Sequence, residues 1–173
     1  MESLSQRLQR TLQGRVCVMG VGNVDYGDDG FGVYLAEELA AAGLPDVIIA
    51  GTTPEHYLVQ VAEQQFNHLL ALDATDSGDD PGTVLLLNGV EIENAFPQIS
   101  THKISLGVLA KVLEEAGTRV WLLGVQPESL QPGQRLSPTM QASLKMIRGI
   151  LQEVRMSQKI HQAARGGIDK VMA

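Results

Sequence analysis

Arg15-Val-Cys-Val-Met-Gly-Val-Gly-Asn-Val-Asp-Tyr-Gly-Asp-Asp-Gly-Phe-Gly32 decides the fold. Arg15–Val21 is a short apolar run closing on glycine, which predicts a buried strand. The glycine-rich stretch after it permits a tight turn and a close approach of backbone to a ligand. From about Gly30 to Ala42 the apolar residues Phe31, Leu35, Leu39 and Ala42 recur on one helical face, and Gly43 ends the helix. Strand, glycine loop and helix in this order open an α/β domain. The loop is not a dinucleotide fingerprint. Gly20 and Gly22 fit its first two positions, but Asp25 stands where the third glycine belongs.

Outward from this unit, strands and helices alternate. Val47–Ala50, His68–Leu72, Thr83–Leu87 and Arg119–Val125 read as the remaining strands. Only the loop Asp73–Pro81 separates the third and fourth strands. That is too short for a crossover helix, so the fourth strand is expected to run antiparallel at or near an edge. Pro54–Gln65 and Lys103–Ala116 read as helices, and residues 91–102, with Pro97, as irregular. Ser137-Pro138 opens a last long helix, Ser as cap and Pro at the first position, with Met140, Leu144, Ile147, Leu151 and Val154 as its stripe. The pattern fades beyond Met156, and Gly166-Gly167 predicts a loosely ordered tail. Residues 1–14 read as an N-terminal extension forming a short amphipathic helix on Leu4, Leu8 and Leu12, residues 15–155 as the enzyme domain, and 156–173 as the tail.

Composition narrows the function. A chain of 173 residues with 44% hydrophobic residues fits one domain with a full core. No apolar run reaches the roughly 18 residues of a membrane span, so no membrane insertion is expected. The net charge of −7 argues against nucleic acid, which needs a basic patch. The single cysteine, Cys17, lies inside an apolar strand and reads as a core thiol. It leaves no intramolecular disulfide and no cysteine-based zinc knuckle. With no secretory signal visible, the cytoplasm is the expected compartment.

Ligands of open α/β sheets bind at the carboxyl ends of strands. Three segments there carry candidate chemistry. Asp28 and Asp29 precede the first core helix. Capping and compensation of the helix dipole account for Asp28 about as well as function does, and for Asp29 less well. Asp73 closes an apolar strand, a costly place for an unpartnered carboxylate and so a functional position. His102 sits in a loop able to reach the same sheet edge, whereas His56, His68 and His161 read as structural. Asp76, Asp79 and Asp80 read as turn residues. Two carboxylates and one imidazole, Asp29, Asp73 and His102, suit a divalent transition metal better than calcium.

Taken together, Gly20-Val-Gly-Asn, Gly27-Asp-Asp-Gly-Phe-Gly, Leu72-Asp-Ala-Thr-Asp-Ser-Gly, Thr101-His-Lys-Ile-Ser-Leu and Leu123-Gly-Val-Gln-Pro-Glu-Ser-Leu130 resemble the [NiFe]-hydrogenase maturation endopeptidases over roughly residues 15–154. The resemblance implies a three-layer α/β/α sandwich around a twisted, mostly parallel, five-stranded mixed sheet. It implies a peptidase that recognises nickel in the large-subunit precursor of a hydrogenase and removes its C-terminal extension. The family's metal-contacting positions carry over to Asp29, Asp73 and His102, which would share recognition and catalysis, and Gly51-Thr52 falls in a loop beside the cleft. Nickel would arrive on the precursor, and no tightly bound cofactor is expected. Asp25 adds a carboxylate where the family implies no ligand. The residues themselves leave two other readings open. One is a metallohydrolase that keeps its own metal. The other is a phosphoacceptor receiver domain, disfavoured because the strand ending at Gly124-Val-Gln-Pro127 carries no lysine to meet a phosphoryl group.

Overall fold

The computed structural model describes residues 2–95 and 106–171, with side chains described for 2–95 and 106–158. In chain order the elements are α1 (Leu4–Thr11), β1 (Val16–Val21), α2 (Phe31–Ala41), β2 (Val47–Gly51), α3 (Leu58–Glu63), β3 (His68–Ala74), β4 (Val84–Asn88), α4 (Gly89–Ala95), α5 (Leu106–Glu115), β5 (Arg119–Val125) and α6 (Pro138–Val171). Single 3₁₀ turns at Gly27–Gly30 and Pro54–Tyr57 lead into α2 and α3.

The strands form one five-stranded sheet in the order β2-β1-β3-β5-β4. β1 pairs in parallel with both β2 and β3, and β3 with β5. β4 lies antiparallel to β5 at the edge, as its short connection requires. Alternation along β1 feeds two cores. Val16 and Val18 join Leu35, Leu39, Leu144, Ile147 and Leu151 of α2 and α6 on one face. Cys17 and Met19 join Val61, Leu109 and Leu113 of α3 and α5 on the other. The sheet is therefore the middle of three layers.

α1 belongs to the first of these layers. Leu8 and Leu12 are buried in the same core as α6, and the Gln158 side chain donates to the Leu12 carbonyl. Arg7 Nη2 donates to the Leu86 carbonyl of the edge strand β4 at 2.9 Å. Ser137 accepts from the Met140 amide at 3.2 Å, making it the cap read from the sequence.

Two elements differ from the sequence reading. Residues 91–95, read as irregular, belong to the helix α4, because Asn88 and Glu91 form a reciprocal capping box, with the Glu91 amide on Asn88 Oδ1 at 3.0 Å and the Asn88 amide on Glu91 Oε2 at 2.8 Å. α6 continues to Val171 instead of fading at Met156. Gly166-Gly167 costs the helix about 2 kcal/mol against alanine, yet Gln162-Ala-Ala-Arg165 before it are good helix formers, so the backbone helix carries through. Among the described residues no helix is long and apolar enough to cross a membrane.

One close approach positions the site. Gly32, in the first turn of α2, has no room for a Cβ, which would collide with the carbonyl oxygens of Leu72 and Val21. The helix start thus presses directly on the ends of β1 and β3. The chain leaves β1 in one direction, through α2 to β2, and returns on the other side to β3. The crevice between the carboxyl ends of β1 and β3 is therefore the sheet's topological switch point.

Cys17 is fully buried, and burial pushes its thiol up to about 12. It is expected to resist Ellman's reagent in the native protein and react at once in denaturant. Cys17→Ser is expected to cost about 1–3 kcal/mol in a urea melt and to leave enzymatic turnover of the folded fraction unchanged. Loss of turnover in well-folded Cys17→Ser protein would point to a thiol mechanism.

Candidate active site

The glycine loop after β1 is wrapped around one carboxylate. Gly22 has φ of +131°, and its amide donates to the Gly51 carbonyl at 3.0 Å, joining the ends of β1 and β2. From there the chain turns so that the Asn23 amide donates to Asp29 Oδ2 at 2.9 Å. Asn23 Oδ1 accepts from the Asp25 amide at 2.9 Å and steadies the turn. Asp25 itself is exposed at the loop's rim. A side chain at position 22 would collide with the Asp29 carbonyl, so the tight wrap requires glycine there.

Asp73 meets this loop from β3. Its Oδ1 lies 3.6 Å from where a Gly22 Cβ would stand, buried and without a hydrogen-bond partner. Although the residue as a whole keeps some exposure, that oxygen has lost its water. Burial, and after it the negative charge of Asp29, push the Asp73 carboxyl well above the usual aspartate range, while the Ala74 amide pulls weakly the other way. A carboxyl raised by burial and by a neighbouring carboxylate makes a place where a proton or a divalent cation is welcome. The chemistry of this donor set, including an orphaned buried oxygen, fits a cation presented from the open side of the crevice.

His102 lies outside the described residues. Among the described residues no group of three His, Cys, Asp or Glu side chains gathers as a metal site. His68 is at the opposite, amino end of β3, where it is buried and accepts from Trp121 Nε1 at 3.3 Å. Burial holds its imidazole below the usual histidine range, a structural role. His56 is exposed in the 3₁₀ turn after β2, and the side chain of His161 is outside the described set.

Two further residues build the site, and the sequence reading did not assign them these roles. Asp28 is fully buried. Its Oδ2 accepts from the amides of Glu128 and Ser129, both at 2.9 Å, and its Oδ1 from the Ser137 amide at 2.7 Å. It is thus neither a cap of α2 nor a catalytic group. It ties the glycine loop to the segment that leads into α6. Gln126, also buried, organises the loop after β3. Its Oε1 accepts from the Ser77 amide at 2.8 Å and its Nε2 donates to Asp76 Oδ1 at 3.1 Å. Asp76 and Asp79 serve this turn, Asp79 accepting from the Ser77 hydroxyl at 2.7 Å. A segment shared with the family, Gly124-Val-Gln-Pro-Glu-Ser129, was the available signal for both partnerships.

A family model described as hydrogenase maturation protease, HycI, matches residues 33–153. The chain belongs to the hydrogenase maturation protease family. It is 40% identical over 110 residues to the Hydrogenase 3 maturation protease of Escherichia coli K12, covering 62% of this chain and 70% of the relative. It is 34% identical over 140 residues to the Hydrogenase 2 maturation protease of the same organism, covering 76% and 84%. The crystal structure of a [NiFe] hydrogenase maturation protease, HycI, from Thermococcus kodakarensis KOD1 superposes with a TM-score of 0.76 at 27% identity, over 86% of this chain and 97% of that one. The hydrogenase maturating endopeptidase HybD from E. coli gives 0.70 at 30% identity, over 83% and 94%. As a hydrogenase maturation protease the chain is a peptidase with this family's mixed α/β fold, and the receiver-domain reading falls away.

Asp73 and Asp28 of this protease predict opposite behaviour. A carboxyl raised in the folded state adds stability that is fully present below its unfolded value, near pH 3.8, and is lost as pH rises through the folded value. Asp73→Asn removes that loss. It is expected to melt higher than wild type at pH 7, with the gap closing as pH falls to about 4, while cleavage is lost. An Asn variant less stable than wild type at pH 7 would contradict the assignment. Asp28→Ala leaves three part-buried amides without their acceptor and is expected to cost about 3 kcal/mol, read as a lowered urea midpoint.

Proposed function

We propose that this protease acts on the large-subunit precursor of a [NiFe] hydrogenase, checks that nickel is in place, and then removes the precursor's C-terminal extension. The observation that carries the reading is the Asp29–Asp73 pair at the switch point, with Asp73 Oδ1 buried and unpartnered beside Gly22. The names of the relatives, hydrogenase 3 and hydrogenase 2 maturation proteases, support the substrate class.

The nickel is substrate cargo. Asp29 and Asp73 would offer it oxygen donors and His102 an imidazole, while cysteine sulfurs of the precursor would supply the soft ligands this chain lacks. Before the precursor docks, the Asp73 carboxyl holds its proton more tightly than an ordinary aspartate, from burial and from Asp29. A cation opposite both carboxylates favours their charged forms, so docking a loaded precursor would release protons. The same contact would orient the adjacent peptide bond, the main catalytic gain available from positioning. A site of two carboxylates and one imidazole, from separate loops, holds free metal weakly. That weakness suits a sensor, because a site that filled itself could not report on the precursor.

The decisive experiment incubates the protein with nickel-loaded and nickel-free precursor and weighs the products by mass spectrometry. Only the loaded precursor should lose its extension, and Asp29→Asn, Asp73→Asn and His102→Ala should each reduce cleavage by about 100-fold or more. Calorimetry should find only weak binding of nickel or zinc by the protein alone. Tight stoichiometric binding together with cleavage of nickel-free precursor would make it a metallohydrolase with its own metal.

A further inference from the structure

A groove of about 430 Å³ runs between α2 and α6. Tyr34, Leu136 and Leu144 give it apolar walls, and Arg135 and Lys145 stand on its α6 side. Among the described residues neither cation forms an ion pair, although the protein as a whole carries a net charge of −7. The acidic residue of the groove, Glu38, is already neutralised by Arg148 at 2.6 Å. The groove therefore presents uncompensated positive charge beside an apolar floor.

Its position is tied to the active site. Both helices start at the same place, since Asp28 binds the Ser137 amide one residue before α6 and lies three residues before α2. The groove's Tyr34 wall also adjoins the glycine loop. A Cβ on Gly30 would stand 2.9 Å from Val24 Cα and 2.8 Å from Tyr34 Cε2, so the exposed Val24 of the loop and the Tyr34 wall are neighbours. The loop that carries Asp29 and the Tyr34 wall of the groove are thus adjacent. From Asp29 to Glu38 the chain advances about 13 Å at helical rise, a length that about four residues of extended peptide span.

We propose that this groove binds the part of the precursor that is cut off, as an extended peptide whose apolar side chains face Tyr34 and Leu144 and whose carboxylates, the terminal one included, pair with Arg135 and Lys145. The inference rests on the reading of the protein as a C-terminal processing protease, and it adds where the leaving segment lies. Every C-terminal extension ends in an α-carboxylate, so a groove with unpaired cations suits this occupant whatever its sequence. Held there, the extension draws the scissile bond toward Asp29 and Asp73. Arg135 and Lys145 touch no reacting atom, so they act on binding and register.

The test uses a fluorescein-labelled synthetic peptide copying the C-terminal extension of the hydrogenase precursor from the same organism, titrated into the full-length protein. Arg135→Glu/Lys145→Glu should bind it at least tenfold more weakly than wild type. Amidating the peptide's terminus should weaken wild type severalfold and the double variant little. Lys111→Glu, an exposed charge change on α5, should bind as wild type does. With nickel-loaded precursor, the double variant should raise KM about tenfold and keep kcat within twofold. Wild-type binding and cleavage by the double variant would overturn the groove while leaving the proposed function standing. Failure of wild type to cleave the loaded precursor would overturn that function. The titration would then judge the groove alone: binding lost on charge reversal upholds it, and absent or charge-indifferent binding rejects it.

Discussion

One buried carboxylate holds the working end of this protein together. Asp28 accepts from three backbone amides, at Glu128, Ser129 and Ser137, each at least 100 positions along the chain. A buried charge without partners is costly, and one met by three amides is secure. The glycine loop after β1, the segment after β5 and the start of α6 are thereby fixed as one rim. Asp29, the next residue, inherits its position from that rim. The close packing of α2 on the ends of β1 and β3 at Gly32 fixes the same rim from below.

Asp73 shows the opposite economy. The sheet carries it to a place where its Oδ1 has neither water nor a donor and faces the field of Asp29. Folding gains nothing from that arrangement. Such local conflict between stability and sequence is expected where a site is built for a ligand that arrives later. Asp73 thus differs from Asp28 in kind: Asp28 is satisfied by the fold, while one oxygen of Asp73 is left without a partner in it.

Most of the architecture was legible in the sequence because it rests on local rules. β1 and β3 are continuous apolar runs, as strands buried on both faces must be, and β4 followed from a connection too short to cross the sheet. α4 was missed because its evidence is a polar capping box, Asn88 with Glu91, rather than an apolar stripe. The extent of α6 was missed because glycines that lower helix propensity do not by themselves end a helix. The places of Asp29 and Asp73, at the ends of a loop and a strand, were legible in the sequence. The work of Asp28 was not, since its partners are featureless backbone amides a hundred or more residues away. Gln126 was hidden for the same reason: a side chain that organises a distant turn leaves no periodic mark.

Arg7 gives the N-terminal helix a meaning beyond packing. The outer edge of β4 is a row of backbone groups ready to pair with any extended chain, and the guanidinium of Arg7 occupies one of them at Leu86. An enzyme that handles polypeptide ends meets extended chains constantly. With the Arg7 guanidinium on that edge, a passing peptide finds one of its acceptors already taken. Trimming the first dozen residues would therefore leave the carboxyl ends of β1 and β3 untouched and still open the β4 edge to pairing with another chain.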